Sequence, residues 1–338
     1  MATIRDVAKL ASVSVATVSR VINKNGYVNK QTEIKVLESM KLLNYKPHTI
    51  ARALSNKQTY TLALILPDIT NPFFPELARA IEDTATKFGY SLILANSDSN
   101  KEKTTSYIES LTNRYVDGII FASHELSLDK INQIKDSGIP MATLDRAVNL
   151  KGLPSIGVQN YEGGIMAVKH LLSMGCSKIG HICGPIYYHT SIERYKGYVD
   201  ALEDINQFHP SYVVQGDFSI ESGFEMANRL LSNHPEIDGI FAANDLMAVG
   251  ALKALIRLKK KIPEEVALIG FDGISITSQM EPEISTIAQP IYQIGAMAVN
   301  CLIDQIQKKI PCEQSGQELE LKLVARASTL KSKGHSSI

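Results

Sequence analysis

Hydroxyl groups and one guanidinium lie close together near the start of this chain, in the segment TIRDVAKLASVSVATVSRVIN at residues 3–23. Ser14, Thr17, Ser19 and Arg20 lie in its second half. Hydroxyls bond phosphate oxygens, and an arginine can hold the edge of a guanine with two hydrogen bonds. These residue types therefore indicate contact with DNA, although Thr17 and Ser19 could equally serve to cap a helix.

Two short helices must position these side chains. Thr3 is a good N-cap for a first helix that ends near Leu10, and Ser14 caps a second helix that ends near Asn23. Two helices joined by so tight a turn form a helix-turn-helix, which places its second helix in the major groove. A third helix over about 30–44 completes a small core through the apolar positions Val36, Leu37, Met40 and Leu43.

The charge of the chain is distributed unevenly. The 338 residues are 44% apolar and carry no net charge, an ordinary globular composition with length for two or three domains. Residues 1–60, however, hold ten lysines and arginines against three acidic residues, a net charge of +7, so the remainder carries −7. A basic segment on an acidic body indicates a polyanion partner for that segment alone.

A short linker follows the third helix. Pro47 precedes the segment HTIARALSNKQ at residues 48–58, which has room for only about two helical turns. A helix of that length is unstable in isolation. We interpret the segment as a hinge that is helical only when another element holds it.

From Thr61 onward, strand-like apolar runs alternate with amphipathic helical stretches, as in TLALILP at 61–67 and ELARAIEDTATKFG at 76–89. This alternation favours parallel sheets with helices on both faces. About 280 residues is long for one such sheet, so we expect two similar lobes. The predicted fold is an all-α helix-turn-helix headpiece followed by an α/β core of two doubly wound parallel-sheet lobes. A ligand should bind in the cleft, beyond the carboxyl ends of the strands.

Signals for other classes of protein are missing from the sequence. No GxGxxG follows a strand, and there is no GxSxG, P-loop or HExxH, so we expect no enzyme and no cofactor. The histidines show no metal spacing, and Cys176, Cys183, Cys301 and Cys312 form no CxxC pair, so we expect reduced thiols and no metal. Without a signal peptide or a membrane-spanning run, we expect a cytoplasmic protein that is not attached to a membrane.

The motifs together resemble one family. Residues 3–23, ARAL at 51–54, LPDITNPFFPELARAIED at 66–83, IGFDG at 269–273 and TIAQP at 286–290 are similar to the LacI family of bacterial transcriptional repressors. The core resembles the type I periplasmic sugar-binding proteins, and within the family the chain is most similar to ribose operon repressors. The resemblance implies a homodimeric repressor that binds a palindromic operator in double-stranded DNA. A small sugar effector, D-ribose, would release it by allostery.

The resemblance also implies a division into four parts. These are a helix-turn-helix DNA-binding domain, 1–46 (the headpiece), and a hinge helix with its linker, 47–60. The first lobe of the core comprises 61–158 with 290–320, and the second lobe comprises 159–289 with 321–338. The effector cleft lies between the two lobes. The tail LKSKGHSSI at 330–338 lacks the leucine heptads of the tetrameric lac repressor, so we expect a dimer.

Residues that touch DNA in the family can be carried over by position. Val15, Ala16 and Arg20 occupy the base-contacting start of the second helix, where small apolar side chains suit a thymine methyl. Leu54 would enter the minor groove at the operator centre beside its twin from the second subunit. Val15 could instead be buried, and Leu54 could pack against the core. The full expected set is Thr3, Ser14, Val15, Ala16, Thr17, Ser19, Arg20, Asn23, Tyr45, Ala51, Arg52, Leu54 and Lys57.

The family's sugar-site positions can be carried over in the same way. A sugar offers hydroxyls on its rim and C–H groups on its faces, so its site needs charged and amide groups in the ring plane and aromatic rings across it. We expect each mapped position to lie at a strand end or in the loop after it. The expected effector-binding residues are Asn71, Phe73, Phe74, Asp145, Arg146, Arg194, Phe218, Asn244, Asp272 and Gln289.

Several alternatives remain open. The effector could be another sugar, a sugar phosphate or a phosphocarrier protein acting as corepressor, although QIGAMAVNCLIDQIQ at 293–307 lacks the basic contact expected for a phosphocarrier. Gln159 stands where the family often has an aspartate, and Tyr188 and His189 replace residues that touch the corepressor in purine-type repressors; both departures argue against a purine. A protein of another class, a sugar-binding transport receptor, would need an export signal and would lack residues 1–60.

Overall fold

The structure is a computed structural model that describes residues 2–23, 26–45, 58–113, 116–122, 128–144, 153–308, 316 and 318–330. Contacts between residues divide the chain into two units. One comprises residues 1–61 with 115–117, and the other comprises 62–114 with 118–338.

The first unit contains the three predicted helices, α1 (Ile4–Leu10), α2 (Val15–Asn23) and α3 (Lys30–Leu42). Thr3 caps α1 in a capping box, since its amide donates to the Asp6 carboxylate at 2.8 Å and its hydroxyl accepts from the Asp6 amide at 3.4 Å. Asn29 caps α3 by accepting from the Gln31 amide at 2.9 Å. Local side-chain signals therefore set where these helices begin.

The core of this unit is small and aliphatic. Val7, Val18 and Val36, one from each helix, are completely buried. Leu37 was expected on the apolar face of α3, but 50% of its surface is exposed, so that expectation is wrong. The adjacent position, Val36, already fills the space between the helices, and a core of this size has no room for both.

The second unit alternates strands and helices as predicted. The elements of its first half are β1 (Thr61–Leu66), α4 (Phe73–Lys87), β2 (Ser91–Asn96), α5 (Lys101–Asn113), β3 (Gly118–Phe121), α6 (Leu128–Asp136), β4 (Met141–Leu144) and β5 (Ser155–Val158). The next elements are α7 (Asn160–Ser173), β6 (Ile179–Cys183), α8 (His189–Glu203), β7 (Val213–Gln215), α9 (Ile220–Asn233), β8 (Gly239–Ala242), α10 (Asp245–Arg257), β9 (Ala267–Asp272) and β10 (Ser285–Ala288). The chain then forms α11 (Ile291–Ile303), β11 (Glu318–Leu319) and β12 (Lys322–Val324), with one short π-helical turn at Asp304–Lys308 after α11.

The strands form two six-stranded sheets with matching orders. The first sheet runs β11-β5-β4-β3-β1-β2, and the second runs β12-β10-β9-β8-β6-β7. The pairs of β1 with β3, β3 with β4 and β4 with β5 are parallel, as are those of β6 with β8 and β8 with β9. β12 is antiparallel to β10. Three short segments pass between the sheets, after β5, after β10 and after β11.

Helices cover both faces of the second sheet. Along β8, Ile240 and Ala242 pack into a cluster with the side chains of α9 and α10. Phe241, on the opposite face, packs with Val168 of α7 and Tyr198 of α8. Because alternate side chains of a strand point to opposite faces, the continuous apolar run of β8 serves two cores. The predicted doubly wound α/β architecture is confirmed.

The cysteines only partly match their expected state. Cys176 and Cys183 are buried free thiols, and Cys183 lies on β6 in the sheet. Burial raises the pKa of Cys183 to about 11, so this thiol is unreactive. Cys301, on α11, is disulfide-bonded, which contradicts the expectation that all four cysteines are reduced.

Candidate functional site

The start of α2 presents a mixed apolar and polar surface. Ser14, Ala16 and Arg20 are exposed, and Val15 is 42% exposed, so Val15 is not the buried core residue that the sequence left open. Thr17 and Ser19 are half-buried. An exposed helix start with small apolar groups and an arginine can contact base edges in a major groove.

The hydroxyls of this region already have partners. Ser14 Oγ accepts from the Thr17 amide at 3.1 Å and lies 2.9 Å from Thr17 Oγ1, which makes Ser14 the cap of α2. Ser19 Oγ accepts from the Asn23 amide side chain at 3.2 Å. Tyr45 packs beside the helix core rather than standing free. Thr3 caps α1, so these polar groups first order the backbone.

Six of the predicted contact residues lie outside the described part of the chain. For DNA these are Ala51, Arg52, Leu54 and Lys57, and for the effector they are Asp145 and Arg146.

The second unit contains a cavity of about 450 Å³ at the carboxyl ends of both sheets. It is lined from the first lobe by the segment after β1 and the start of α4, and from the second lobe by the segments after β7, β8 and β9. All eight predicted effector residues in the described part of the chain line it, namely Asn71, Phe73, Phe74, Arg194, Phe218, Asn244, Asp272 and Gln289. Its volume is in the range of pockets for small molecules.

An ion pair forms the floor of the cavity. Arg194 Nη1 lies 3.3 Å from Asp272 Oδ1, and both side chains are less than a tenth exposed. Asn160 Oδ1 and the Ala243 carbonyl accept further hydrogen bonds from Arg194, at 2.9 and 2.6 Å, and the guanidinium lies 3.7 Å from the centre of the Phe271 ring. Burial of both charges is tolerated because the guanidinium is held from several sides.

Gln289, the residue after β10, also lies at this floor. Its side-chain Nε2 donates to Asp272 Oδ1 at 2.8 Å, while its Oε1 is buried and has no partner among the described residues. An unpaired buried carbonyl oxygen costs free energy that a hydroxyl donor would recover. The amide therefore leaves an unsatisfied acceptor beside the cavity.

Two of the predicted effector residues have left-handed backbone conformations. Phe218 has φ = 73° and Asp272 has φ = 114°, conformations that side-chain-bearing residues rarely adopt. The Asn244 side chain donates to the Phe218 carbonyl at 3.0 Å, which holds the first of them in place. Strained residues of this kind collect at ligand-binding sites, where the surrounding structure determines their conformation.

Hydrogen bonds to Asp245 stabilise the strained turn at Asp272. The Asp245 carboxylate is fully buried and accepts from the amides of Gly273 and Ile274, at 2.7 and 2.9 Å, and from the Thr286 hydroxyl at 2.7 Å. Burial, with the nearby charge of Asp272, raises the pKa of Asp245 well above its ordinary value, while these hydrogen bonds oppose the change. Sequence patterning did not assign this role, because one aspartate at a helix start has no distinctive spacing.

Aromatic rings form two walls. In the first lobe the rings of Phe73 and Phe74 meet edge to face, with centroids 5.2 Å apart. In the second lobe Tyr188 lies parallel to Phe218, with centroids 6.0 Å apart and 4° between the ring planes. Rings from both lobes can thus cover the C–H faces of a sugar.

The polar lining is mostly acidic. Its described part includes the carboxylates of Asp68, Asp217, Glu221 and Asp272 and the single cation Arg194, which Asp272 neutralises. Ser99, Thr190, Asp217 and Glu221 were not among the predicted residues. Their signal was present in the sequence, since each lies within a few residues of the end of a strand or the start of a helix at this edge.

The described residues contain no group of three histidine, cysteine or acidic side chains placed to hold a metal ion. Within the same residues, every helix is too short or too polar to cross a membrane.

Two family models match this chain. The model of bacterial regulatory proteins of the lacI family matches residues 3–48, and the model of periplasmic binding proteins and the sugar binding domain of the LacI family matches residues 59–321. The ribose operon repressor of Halalkalibacterium halodurans is 45% identical over 329 residues, which cover 97% of each chain.

Solved structures give the same result. The lac repressor dimer bound to operator and the anti-inducer ONPF has a TM-score of 0.87 and 27% identity, and the match covers 98% of this chain and 99% of that one. A LacI family transcriptional regulator from Enterococcus faecium with bound ribose has a TM-score of 0.72 and 33% identity. That match covers 80% of this chain and 100% of the other.

Proposed function

The chain belongs to the lacI family of bacterial regulatory proteins, and on that premise we propose that it is a dimeric operator-binding repressor released by D-ribose. The main support for this proposal is that eight predicted effector residues line one cavity between the two lobes. A ligand held by both lobes can favour one angle between them, and its effect is limited to its differential affinity for the two arrangements. We propose the four-part division of the chain, with headpiece, hinge and two lobes, as the framework for this coupling.

The charges of the cavity support an uncharged ligand over a sugar phosphate. Phosphate sites supply unpaired cations or free backbone amides, whereas Arg194 is already paired with Asp272. Asp68, Asp217 and Glu221 add negative charge to the lining. Carboxylates accept hydrogen bonds from sugar hydroxyls but repel a phosphate, so the described lining suits a neutral polyol.

The choice of D-ribose rests on relatives and on the polyol chemistry together. The named relative from Halalkalibacterium is a ribose operon repressor, and the Enterococcus structure contains ribose. Tyr188 lies parallel to Phe218, which gives the second lobe a continuous apolar wall for the C–H face of a sugar. A transport receptor would not need the helix-turn-helix at residues 3–48.

For DNA binding, we propose that α2 enters the major groove with Val15, Ala16 and Arg20 toward the bases. The remaining predicted residues of the headpiece position the protein backbone that carries α2. The proposed hinge at 47–60 has Leu54 at its centre. It stabilises the DNA-bound form only when the hinges of the two subunits are held side by side. Ribose would separate the two hinges and lower operator affinity.

Calorimetric titration of the full-length protein tests the effector. The titrants are D-ribose, D-ribose 5-phosphate, D-glucose and hypoxanthine, each with and without operator DNA. We expect binding of D-ribose, weaker or no binding of the other three, and lower ribose affinity in the presence of operator, since coupling between sites is reciprocal. Tighter binding of hypoxanthine or of the phosphate than of ribose would overturn the assignment. Higher ribose affinity with operator bound would reverse the sign of the response.

A further inference from the structure

A hydrogen bond joins two residues that line the cavity from opposite lobes. Tyr188 Oη, in the segment before α8 of the second lobe, donates to Ser99 Oγ, in the segment after β2 of the first lobe, at 3.2 Å. The two residues are 89 positions apart in the chain and follow strands of different sheets. Because the bond joins segments of the two lobes directly, it resists their separation.

The first-lobe side of this contact is rigid. Asp98 and Ser99 have consecutive left-handed conformations, with φ of 52° and 50°. The Ser99 amide donates to the Pro67 carbonyl at 3.2 Å, and Asp98 is paired with Lys103 and Asn96. Consecutive strained residues persist only where surrounding bonds hold them, and here they present the Ser99 hydroxyl toward the opposite lobe.

The second-lobe side is equally constrained. Tyr188 lines the cavity and is only 9% exposed. Its ring is parallel to that of Phe218, whose far edge occupies the space left open by Gly184, where a Cβ atom would lie 2.3 Å from Phe218 Cζ. Phe218 is thus enclosed between Gly184 and Tyr188. Any movement of Tyr188 away from Ser99 would release the ring of Phe218.

We infer that Tyr188 is a positioning residue. Through its bond to Ser99 it holds the lobes together, and through its ring it fixes Phe218 against the ligand. The inference rests on the proposed function, since it concerns the same cleft. The contact between Tyr188 and Ser99, which we call the latch, does not depend on which ligand binds. Without the bond, more of the population has the lobes apart, and a ligand that needs both lobes must first reverse this.

The chain offers a matched control. Tyr187 precedes Tyr188, is 73% exposed, and packs its ring against that of Tyr188. Tyr187→Phe and Tyr188→Phe each remove one hydroxyl and keep the ring, but only the second breaks the contact with Ser99. Comparing them separates the latch from a general effect of losing a tyrosine hydroxyl.

The first measurement is the distance between the lobes in the full-length protein without ligand. Spin labels are attached through Glu102→Cys and Glu225→Cys, both exposed, and the unsubstituted protein treated with the same label gives the background. We expect Tyr188→Phe and Ser99→Ala to shift the distance distribution to longer values, while Tyr187→Phe leaves it unchanged. Superimposable distributions for Tyr188→Phe and Tyr187→Phe would overturn the latch.

The second measurement is calorimetric titration with D-ribose. We expect Tyr188→Phe and Ser99→Ala each to weaken binding by about two- to tenfold, the range of one hydrogen bond, and the double variant to be no weaker than either. Additive losses would show that the two hydroxyls act separately and refute the latch. If the unaltered protein fails to bind ribose, the ribose assignment falls, while the distance measurement still decides the latch.

Discussion

Arg194 and Asp272 face each other at the floor of the cleft, with Nη1 and Oδ1 3.3 Å apart, and neither reaches bulk water freely. The carboxylate also accepts from Gln289, and the turn that carries it is held by the buried carboxylate of Asp245. Asp272 therefore offers a charged acceptor for a ligand hydroxyl, and the backbone that carries it is fixed.

Asp272→Asn should weaken ribose binding by about 10- to 100-fold, because hydrogen bonds to charged groups contribute about 1.5–3 kcal/mol. Asparagine tolerates a positive φ, so the turn is retained. Calorimetry measures the loss, and operator binding should remain unchanged without ribose. The control is Asp200→Asn, which changes an exposed aspartate outside the cavity lining that accepts a hydrogen bond from Tyr161 Oη. Joint loss of operator and ribose binding in Asp272→Asn would contradict the separation of the two functions.

Gly184→Ala should displace the ring of Phe218 without unfolding the protein. The new Cβ would lie 2.3 Å from Phe218 Cζ and 2.4 Å from Ser191 Oγ, and both are ends of side chains rather than backbone. We expect ribose affinity to fall by at least about tenfold while thermal unfolding shifts by only a few degrees, since overpacking at one position costs about 1–3 kcal/mol. Unchanged ribose affinity would mean that the ring of Phe218 does not touch the ligand.

Much of this architecture could be predicted because its signals are local. Thr3 and Ser14 begin helices through bonds to residues three positions away, and the alternation of apolar runs with amphipathic stretches fixes the α/β class. Seven of the eight effector residues that line the cavity lie at a strand end or in the segment and helix start that follow it, and the carboxyl ends of parallel strands meet at one edge. Arg194 is the exception, since it lies within α8, so its expected place at a strand end is wrong.

The contacts that could not be predicted depend on distant segments or on backbone conformation. The bond of Tyr188 to Ser99 requires two left-handed residues and two lobes in register, and neither leaves a periodic pattern. The exposure of Leu37 shows a different limit: apolar periodicity identifies a face but cannot decide which of two adjacent side chains fills a small core. Asp245 was missed because a buried carboxylate is recognised only by the amides around it.

Arg20→Lys should weaken specific operator binding while retaining most of the affinity for unrelated DNA. Lysine keeps the charge but loses the two-pronged contact with guanine, which is worth about 1–3 kcal/mol of discrimination. Fluorescence anisotropy with specific and scrambled duplexes, over a series of salt concentrations, measures the affinity for the operator and the affinity for unrelated DNA. The salt slope should be steep and nearly equal in the two proteins, because counterion release follows charge. An equal loss on both duplexes would make Arg20 a phosphate contact instead.

His181 should make the second lobe sensitive to acid. Its ring is completely buried between Tyr198 and Phe241, its Nδ1 lies 2.9 Å from the Phe241 carbonyl, and burial lowers its pKa to about 4. A base with a lowered pKa binds fewer protons in the folded state. Its contribution to the free energy of unfolding is therefore complete above about pH 6.5 and declines as the pH falls toward 4.

The loss attributable to His181 is at most about 3 kcal/mol across this interval. Urea unfolding at several pH values, followed by circular dichroism, should show a shallower decline for His181→Phe than for the unaltered protein, even though the substitution itself destabilises the core at neutral pH. His209→Phe changes an exposed histidine and serves as the control. Burial also lowers the pKa of His170, so part of the decline should persist in His181→Phe. Parallel curves for His181→Phe and the unaltered protein would show that His181 does not cause the acid sensitivity.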